Sequence, residues 1–435
     1  MKRHASGLWL LIACLSLGAP STALAQNEPG GTGVAAGGGA QEPPPKISVQ
    51  AKSQPKPSLE IYGFAMLDIG ENFTTINPNW FDTMRVTKLP SFDGEFGKGN
   101  NTFAGVRQSR FGVRSATPTD LGELKTIFEF EMFGTGVDAG QTTIRLRHAW
   151  GELKHFGAGQ TWSTFMDPDV FPNQLEYWGP TGMVFFRNVQ ARWMPVQNDK
   201  NSLWIAVERP GASGDQGTYA DRVELSGIKP RFPLPDFTFA YKVNQKWGYG
   251  RIAGIYRRIS WDDTNTSDFF DFSDHARGWG INLSSNVKPS PKDVVRFQFV
   301  FGEGIQNYMN DSPVDIGIEH RNVINPPVPD EPPIAGVPLW VKGLVIALDH
   351  QISPKYSTTV GYSWQDIGNS NAQAPNAFNT GHYATGNLLY YPVPNVMVGG
   401  ELQWGRRGNY SDDFQSDGFK LQFSFKYNFS WKLGG

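Results

Sequence analysis

The chain has 435 residues, with 39 Lys and Arg against 41 Asp and Glu, so nothing globally basic directs it to nucleic acid. A single cysteine, Cys14, excludes a disulfide framework. The 49 Gly, 30 Phe, 14 Tyr and 14 Trp, in a chain only 39% hydrophobic, suit a wall of half-apolar strands with many turns and aromatic rims.

Lys2, Arg3 and His4 precede an apolar run from Leu8 to Leu17 and then Ala23-Leu24-Ala25. A charged start, an apolar stretch too short to span a bilayer and an A-x-A site predict a cleaved secretory signal over residues 1–25. Leu11-Ile12-Ala13-Cys14 offers a lipobox instead, but the apolar run continues past Cys14. Residues 26–58 are rich in Gly and Pro, as in Gly37-Gly38-Gly39 and Pro43-Pro44-Pro45, and predict a periplasmic linker with too few large apolar residues for a core.

From Leu59 the chain repeats one unit: an alternating run, a short turn, an alternating run, a long polar loop. The runs are residues 59–69, 102–116, 124–134, 142–153, 155–165, 183–194 and 202–209, a weaker one between 221 and 232, then 237–245, 249–261, 277–288 and 294–302. Residues 339–350, 356–365, 382–391 and 396–404 follow. The last run is the clearest: Phe419, Leu421, Phe423, Phe425, Tyr427, Phe429, Trp431 and Leu433 alternate with Lys420, Gln422, Ser424, Lys426, Asn428, Ser430 and Lys432. A strand sends alternate side chains to opposite faces. One face here is wholly apolar, the other wholly polar.

A soluble sheet or a barrel wall with lipid outside and water inside satisfies that pattern equally. The connections decide between them. Those at 117–122, 195–200, 288–293, 351–355 and 391–395 are short, whereas those at 72–101, 262–276, 303–337, 366–381 and 405–417 are long. Such sorting predicts an all-β transmembrane antiparallel β-barrel of about 16 strands, with short periplasmic turns and long extracellular loops. Its partners would be outer-membrane lipid and lipopolysaccharide. The loop carboxylates Asp262, Asp263, Asp268, Asp271, Asp274, Asp330, Glu331, Asp412, Asp413 and Asp417 read as solvated faces.

Residues opposite the apolar face decide what passes. Arg110, Arg114, Arg145, Arg147, Arg192 and Arg296 all alternate with apolar neighbours. A guanidinium facing lipid at mid-depth would cost about 2–4 kcal/mol, which predicts that these point inward. Always charged and forked to match carboxylates, they suit an anion path. The competing role is to order the wall by pairing with Glu129, Glu131, Glu208 and Glu401. Arg107 and Arg187 fall out of phase, and Arg257 and Arg258 are adjacent, so one of that pair must break the alternation or sit at the rim. Residues 166–180 hold Asp167, Asp169, Asn173, Glu176, Tyr177 and Trp178 among more apolar side chains than an exposed loop should carry, so this loop is expected to fold inward as a constriction.

Arg107-Gln108-Ser109-Arg110-Phe111-Gly112, Arg145-Leu146-Arg147-His148-Ala149-Trp150-Gly151-Glu152, Gly159-Gln160-Thr161-Trp162-Ser163-Thr164-Phe165 and Pro394-Asn395 with Gly399-Gly400-Glu401-Leu402-Gln403 resemble the DcaP-like, dicarboxylate-type outer-membrane porins. The resemblance covers essentially all of residues 59–429. It implies a homotrimeric, 16-stranded porin passing small anionic solutes, notably dicarboxylates, by diffusion. The arginine-lined lumen would map onto Arg110, Arg114, Arg145 and Arg147, with Gln160 and Trp162 leading into the inward loop. Two departures stand out: the leader is Gly/Pro-rich with no heptads where members can carry a coiled coil, and Ser430 to Gly435 follow Phe429 where such barrels usually end on an aromatic.

Other classes have less support. A barrel-wall hydrolase needs a nucleophile tied to a histidine, and no spacing ties one to His148, His155, His350 or His382. No His or Cys spacing marks a metal site, and no cofactor is expected. Gly248-Tyr249-Gly250-Arg251-Ile252-Ala253 is followed by strand-like alternation, not the helix a nucleotide fingerprint requires. A non-selective porin, or a plugged structural or adhesin barrel, remains the alternative.

Overall fold

A computed structural model describes residues 56–265, 269–322 and 327–434. The proposed signal, nearly all of the proposed linker, and Asp268 lie outside the described residues.

Sixteen wall strands close on themselves. In chain order they are β1 (Ser58–Asn72), β2 (Asn101–Gly105 and Arg110–Thr119), β3 (Gly122–Phe133), β4 (Thr142–Leu153), β5 (Phe156–Trp162) and β6 (Arg187–Gln197). They continue as β7 (Asn201–Glu208), β8 (Asp236–Gln245), β9 (Gly248–Asp263), β10 (Asp274–Ser290) and β11 (Asp293–Glu303). The last five are β12 (Trp340–Ser353), β13 (Tyr356–Gly368), β14 (Phe378–Tyr390), β15 (Val396–Asn409) and β16 (Gln415–Gly434). Each pairs antiparallel with the next, and β1 pairs with β16 from Ser58↔Gly434 to Asn72↔Lys420, which removes both edges. Among the described residues, no helix is long and apolar enough to cross a membrane.

The weak run between 221 and 232 is not a separate wall strand. Ile228–Arg231 pairs with Ile259's neighbours Ser260 to Asp263 on β9, continuing the line of β8 across a break at 232–235. β2 is likewise broken at 106–109, which is where Arg107 falls, while Arg187 opens β6.

The period-2 faces are realised. On β16, Phe419, Phe423, Tyr427, Phe429, Trp431 and Leu433 are exposed, while Lys420, Gln422 and Ser424 on the opposite face are 0% exposed. The outward row matches lipid; what buries the inward row is the chain itself. Residues 163–186, between β5 and β6, run along the inner wall together with parts of 73–100 and 304–315. The interior is therefore not uniformly polar. Inward-facing Ala240, Ala253, Ile255, Val300, Val341 and Val345 form one apolar cluster with Phe165, Met166, Val170, Met183 and Val184 of the inserted segment.

The inserted backbone lies against bare wall at Gly182, where an added Cβ would sit 2.1 Å from the carbonyl oxygen of Trp364. Facing it, a Cβ at Gly343 would sit 2.3 Å from the carbonyl oxygen of Gly182. Gly182→Val is accordingly expected to push the segment off β12 and β13. The overpacking should cost about 1–3 kcal/mol, seen as a lower urea midpoint for the refolded protein and a larger single-channel conductance.

Candidate functional site

The inserted segment is tied down residue by residue. Asp167 accepts from Tyr249 (2.8 Å) and Ser284 (2.6 Å), Asp169 takes the Lys242 ammonium at 2.7 Å, and the Asn173 amide reaches Asp349 at 3.3 Å. The amides of Leu175 and Glu176 donate to Glu401 at 2.7 and 3.0 Å. Glu176 meets Lys420 at 2.7 Å, both fully buried, and Lys420 also donates to the carbonyl of Asp82. These contacts run from β8 to β16, so one loop spans most of the inner circumference.

Beyond Glu176 the segment reaches the opposite wall, where the arginines are concentrated. Glu131 on β3 accepts from Arg145 (2.7 Å), Arg147 (2.5 Å) and Arg187 (3.2 Å) and from the Tyr177 hydroxyl (2.5 Å), with Arg110 at 4.0 Å. Glu129, two residues earlier on the same face, accepts from Arg147 (2.6 Å) and Tyr62 (2.7 Å), with Arg110 at 3.7 Å and His148 at 3.9 Å. Among the described residues, four guanidiniums share these two carboxylates, an excess of two positive charges. Burial, reinforced by the Glu131 carboxylate, raises the Tyr177 hydroxyl above its usual range. Tyr177 stacks on Phe133 at 3.8 Å between centroids, and Arg145, 24% exposed, is the most open arginine of the cluster.

The remaining sequence candidates are dispersed. Arg114, 39% exposed, pairs with Glu60 at 2.8 Å at the short-turn end of the wall. Arg192 donates to the carbonyl of Trp162 (2.6 Å) and to Gln190, fixing the root of the inserted segment. Arg296 is bound by Asp349 at 2.6 Å and by the carbonyl of Asp169, so it holds the loop. Gln160 gives its amide to the carbonyls of Leu146 and Arg147, where a bulge in β4 displaces Arg147 from regular pairing. Trp162 lies under Arg147 and Arg187 at 5.4 and 5.2 Å. Among the described residues, Glu208 and Glu401 have no arginine partner. Glu208 accepts from Ser163, Thr164 and Thr238, and Glu401 from the loop backbone.

Sequence reasoning missed a second set of loop contacts. Arg85, from 73–100, lies 4.2 Å from each of Trp80 and Trp178 and gives two hydrogen bonds, at 3.0 and 2.8 Å, to Asp311 of the 304–339 connection. Thr87 donates to the same carboxylate at 2.9 and 2.5 Å. The signal was present: Trp80, Phe81, Met84, Val86 and Leu89 crowd the ten positions 80–89, more apolar side chains than an exposed loop should carry. Among the described residues, no group of three or more His, Cys, Asp or Glu is placed to hold a metal ion.

A closed 16-stranded ring with an apolar outer belt, long loops at one end and an internally folded segment defines an outer-membrane channel. The family model for the DcaP outer membrane protein matches residues 91–317, just over half of the chain, and the chain belongs to that family. The fold is similar to the outer membrane channel DcaP of Acinetobacter baumannii, with a TM-score of 0.69 at 19% identity over 87% of this chain and 99% of that one. It is also similar to a loop-deletion form of OmpT of Vibrio cholerae, with a TM-score of 0.51 at 13% identity over 86% of this chain and 99% of that one. No curated protein sequence matches the chain.

Proposed function

We propose that this channel is an anion-preferring, non-catalytic diffusion porin for small anionic solutes such as dicarboxylates. The observation that carries the reading is the excess of guanidinium over carboxylate where Tyr177 of the inserted segment meets Arg110, Arg145, Arg147 and Arg187. A fixed excess of positive charge in a narrow, low-dielectric passage attracts anions and repels cations. The planar guanidinium matches a carboxylate edge. In this reading Arg145 and Arg110 face the solute path, with Arg114 serving its periplasmic mouth. Arg192, Arg296, Gln160, Trp162, Asp167, Asp169, Asn173 and Glu176 hold the constriction in place, while Tyr177 and Trp178 form its edge. The exported chain would lose residues 1–25 and assemble as the homotrimer that the resemblance implies, surrounded by outer-membrane lipid and lipopolysaccharide.

Planar-bilayer recording in a salt gradient tests this. The expected reversal potential has the sign of anion preference, and Arg145→Ala with Arg147→Ala should move it toward zero. A cation-preferring sign would reject the arginine argument, and block of the current by a four-carbon dicarboxylate would identify the solute class. A non-selective porin is the second reading, favoured by the ion pairing of the wall arginines. It expects a near-zero reversal potential already in the wild type.

A further inference from the structure

Arg257 and Arg258 resolve their conflict by facing opposite ways. Arg257 points inward, fully buried, and is bound by Asp236 (2.9 Å), Asp315 (2.8 Å) and the carbonyls of Gly304 and Gly211. Arg258 therefore falls on the outward face of β9, in phase with Tyr256 and Ile252, both exposed. Its cross-strand neighbour on β10 is Arg277, also outward and exposed, so two guanidiniums stand directly opposite each other on the surface that meets lipid.

Like charges in register across a ladder repel, and elsewhere on this face the wall avoids the arrangement. Arg406 faces Asp417 and makes two hydrogen bonds to it at 2.9 Å, Lys342 faces Asp366, and Arg231 pairs with Asp262 at 2.7 Å. Among the described residues, Arg258 and Arg277 have no carboxylate, and the Nε of Arg258 is shielded from solvent with no acceptor. The neighbouring carboxylates are occupied. Glu303 accepts from the Trp279 indole at 2.9 Å, and Asp274 lies 3.7 Å from His275 and 3.9 Å from Arg321.

Height on the wall indicates the missing acceptor. Tyr256 and Trp279 are cross-strand partners, and Trp279 packs edge-on against Trp340 at 5.5 Å. Outward aromatics of this kind mark the lipid–water interface. Arg258 and Arg277 each lie one outward position beyond that row, toward the long loops, at the depth of the headgroups.

We infer that Arg258 and Arg277 form a site for the phosphate of an outer-leaflet phosphorylated glycolipid, held by both guanidiniums above the Tyr256, Trp279 and Trp340 row. Arginine is the side chain suited to bidentate phosphate recognition. The inference uses the outer-membrane location and not the charge of the lumen, so the two readings stand or fall separately.

Native mass spectrometry of the detergent-solubilised protein, titrated with bisphosphorylated lipid A, tests it. The wild type should retain the glycolipid. R258Q/R277Q should retain it at least fivefold less, R277Q alone at an intermediate level, and K342Q as the wild type does. Dephosphorylated lipid A should bind the wild type no better than the phosphorylated form binds the double variant, and millimolar inorganic phosphate should not displace the glycolipid. Conductance of R258Q/R277Q should match the wild type, showing that it is folded. Equal retention by wild type and double variant would overturn the site, and displacement by inorganic phosphate would overturn the assignment to a lipid.

Discussion

Glu131→Gln is expected to destabilise the barrel by about 3–5 kcal/mol and, in the molecules that fold, to strengthen anion preference. The cost follows from position. Glu131 is buried at the centre of Arg145, Arg147 and Arg187, and removing one partner of a buried ionic cluster leaves the others with uncompensated charge. Glutamine keeps the shape and two polar atoms, so the change isolates charge from volume. Equilibrium urea unfolding in lipid vesicles would report the stability loss, and the reversal potential of surviving channels the selectivity gain. Both changes should appear together. Unchanged stability would mean that the four guanidiniums do not depend on Glu131, contrary to the geometry.

Arg85→Ala should release three loops at once. The guanidinium packs 4.2 Å from both Trp80 and Trp178, whose rings meet edge-to-face at 4.7 Å, and is the main counter-charge of Asp311, so its loss uncovers this aromatic corner and strands a buried carboxylate. By the same reasoning as for Glu131, the local cost is about 3–5 kcal/mol. It falls on loop anchoring and spares the wall ladder. The expected signature is cleavage of residues 73–100 by added protease and greater open-channel noise, with the barrel still folded. Arg85→Lys should not restore the wild type, because a compact ammonium lacks the planar face that packs on both indoles while Nε and a terminal nitrogen donate together to one Asp311 oxygen.

The wall was legible because its pattern is local. Alternation from Phe419 to Leu433 assigns each side chain to lipid or interior without reference to any other strand, and the structure places both rows accordingly. The pairing of Arg145 with Glu131 was not legible, since period 2 gives a face but not a register between β3 and β4. The bulge that brings Arg147 within reach of both carboxylates is set by that register. The inward fold of residues 166–180 could be read from its excess of apolar residues. The same test, applied to residues 73–100, would have found Trp80 and Met84 and led to Arg85. Asp311 carried no such mark, because a loop aspartate reads as solvated until the guanidinium buried against it is seen. Lys420, Gln422 and Ser424 show the general limit: their polarity suggested water, and their actual neighbours are other parts of the same chain.

The ladder between β1 and β16 joins the two described strands farthest apart in sequence. Until Gln415–Gly434 is delivered, the other fifteen strands form a sheet with two raw margins, each a row of amide and carbonyl groups with nothing to bond. Hydrocarbon penalises every such group by several kcal/mol, so the sheet cannot settle in a bilayer by degrees. Insertion and ring closure must be one late event, with the margins sheltered beforehand. A chain interrupted within its final strand would yield not a narrower channel but an unsealed ribbon prone to stick to its neighbours.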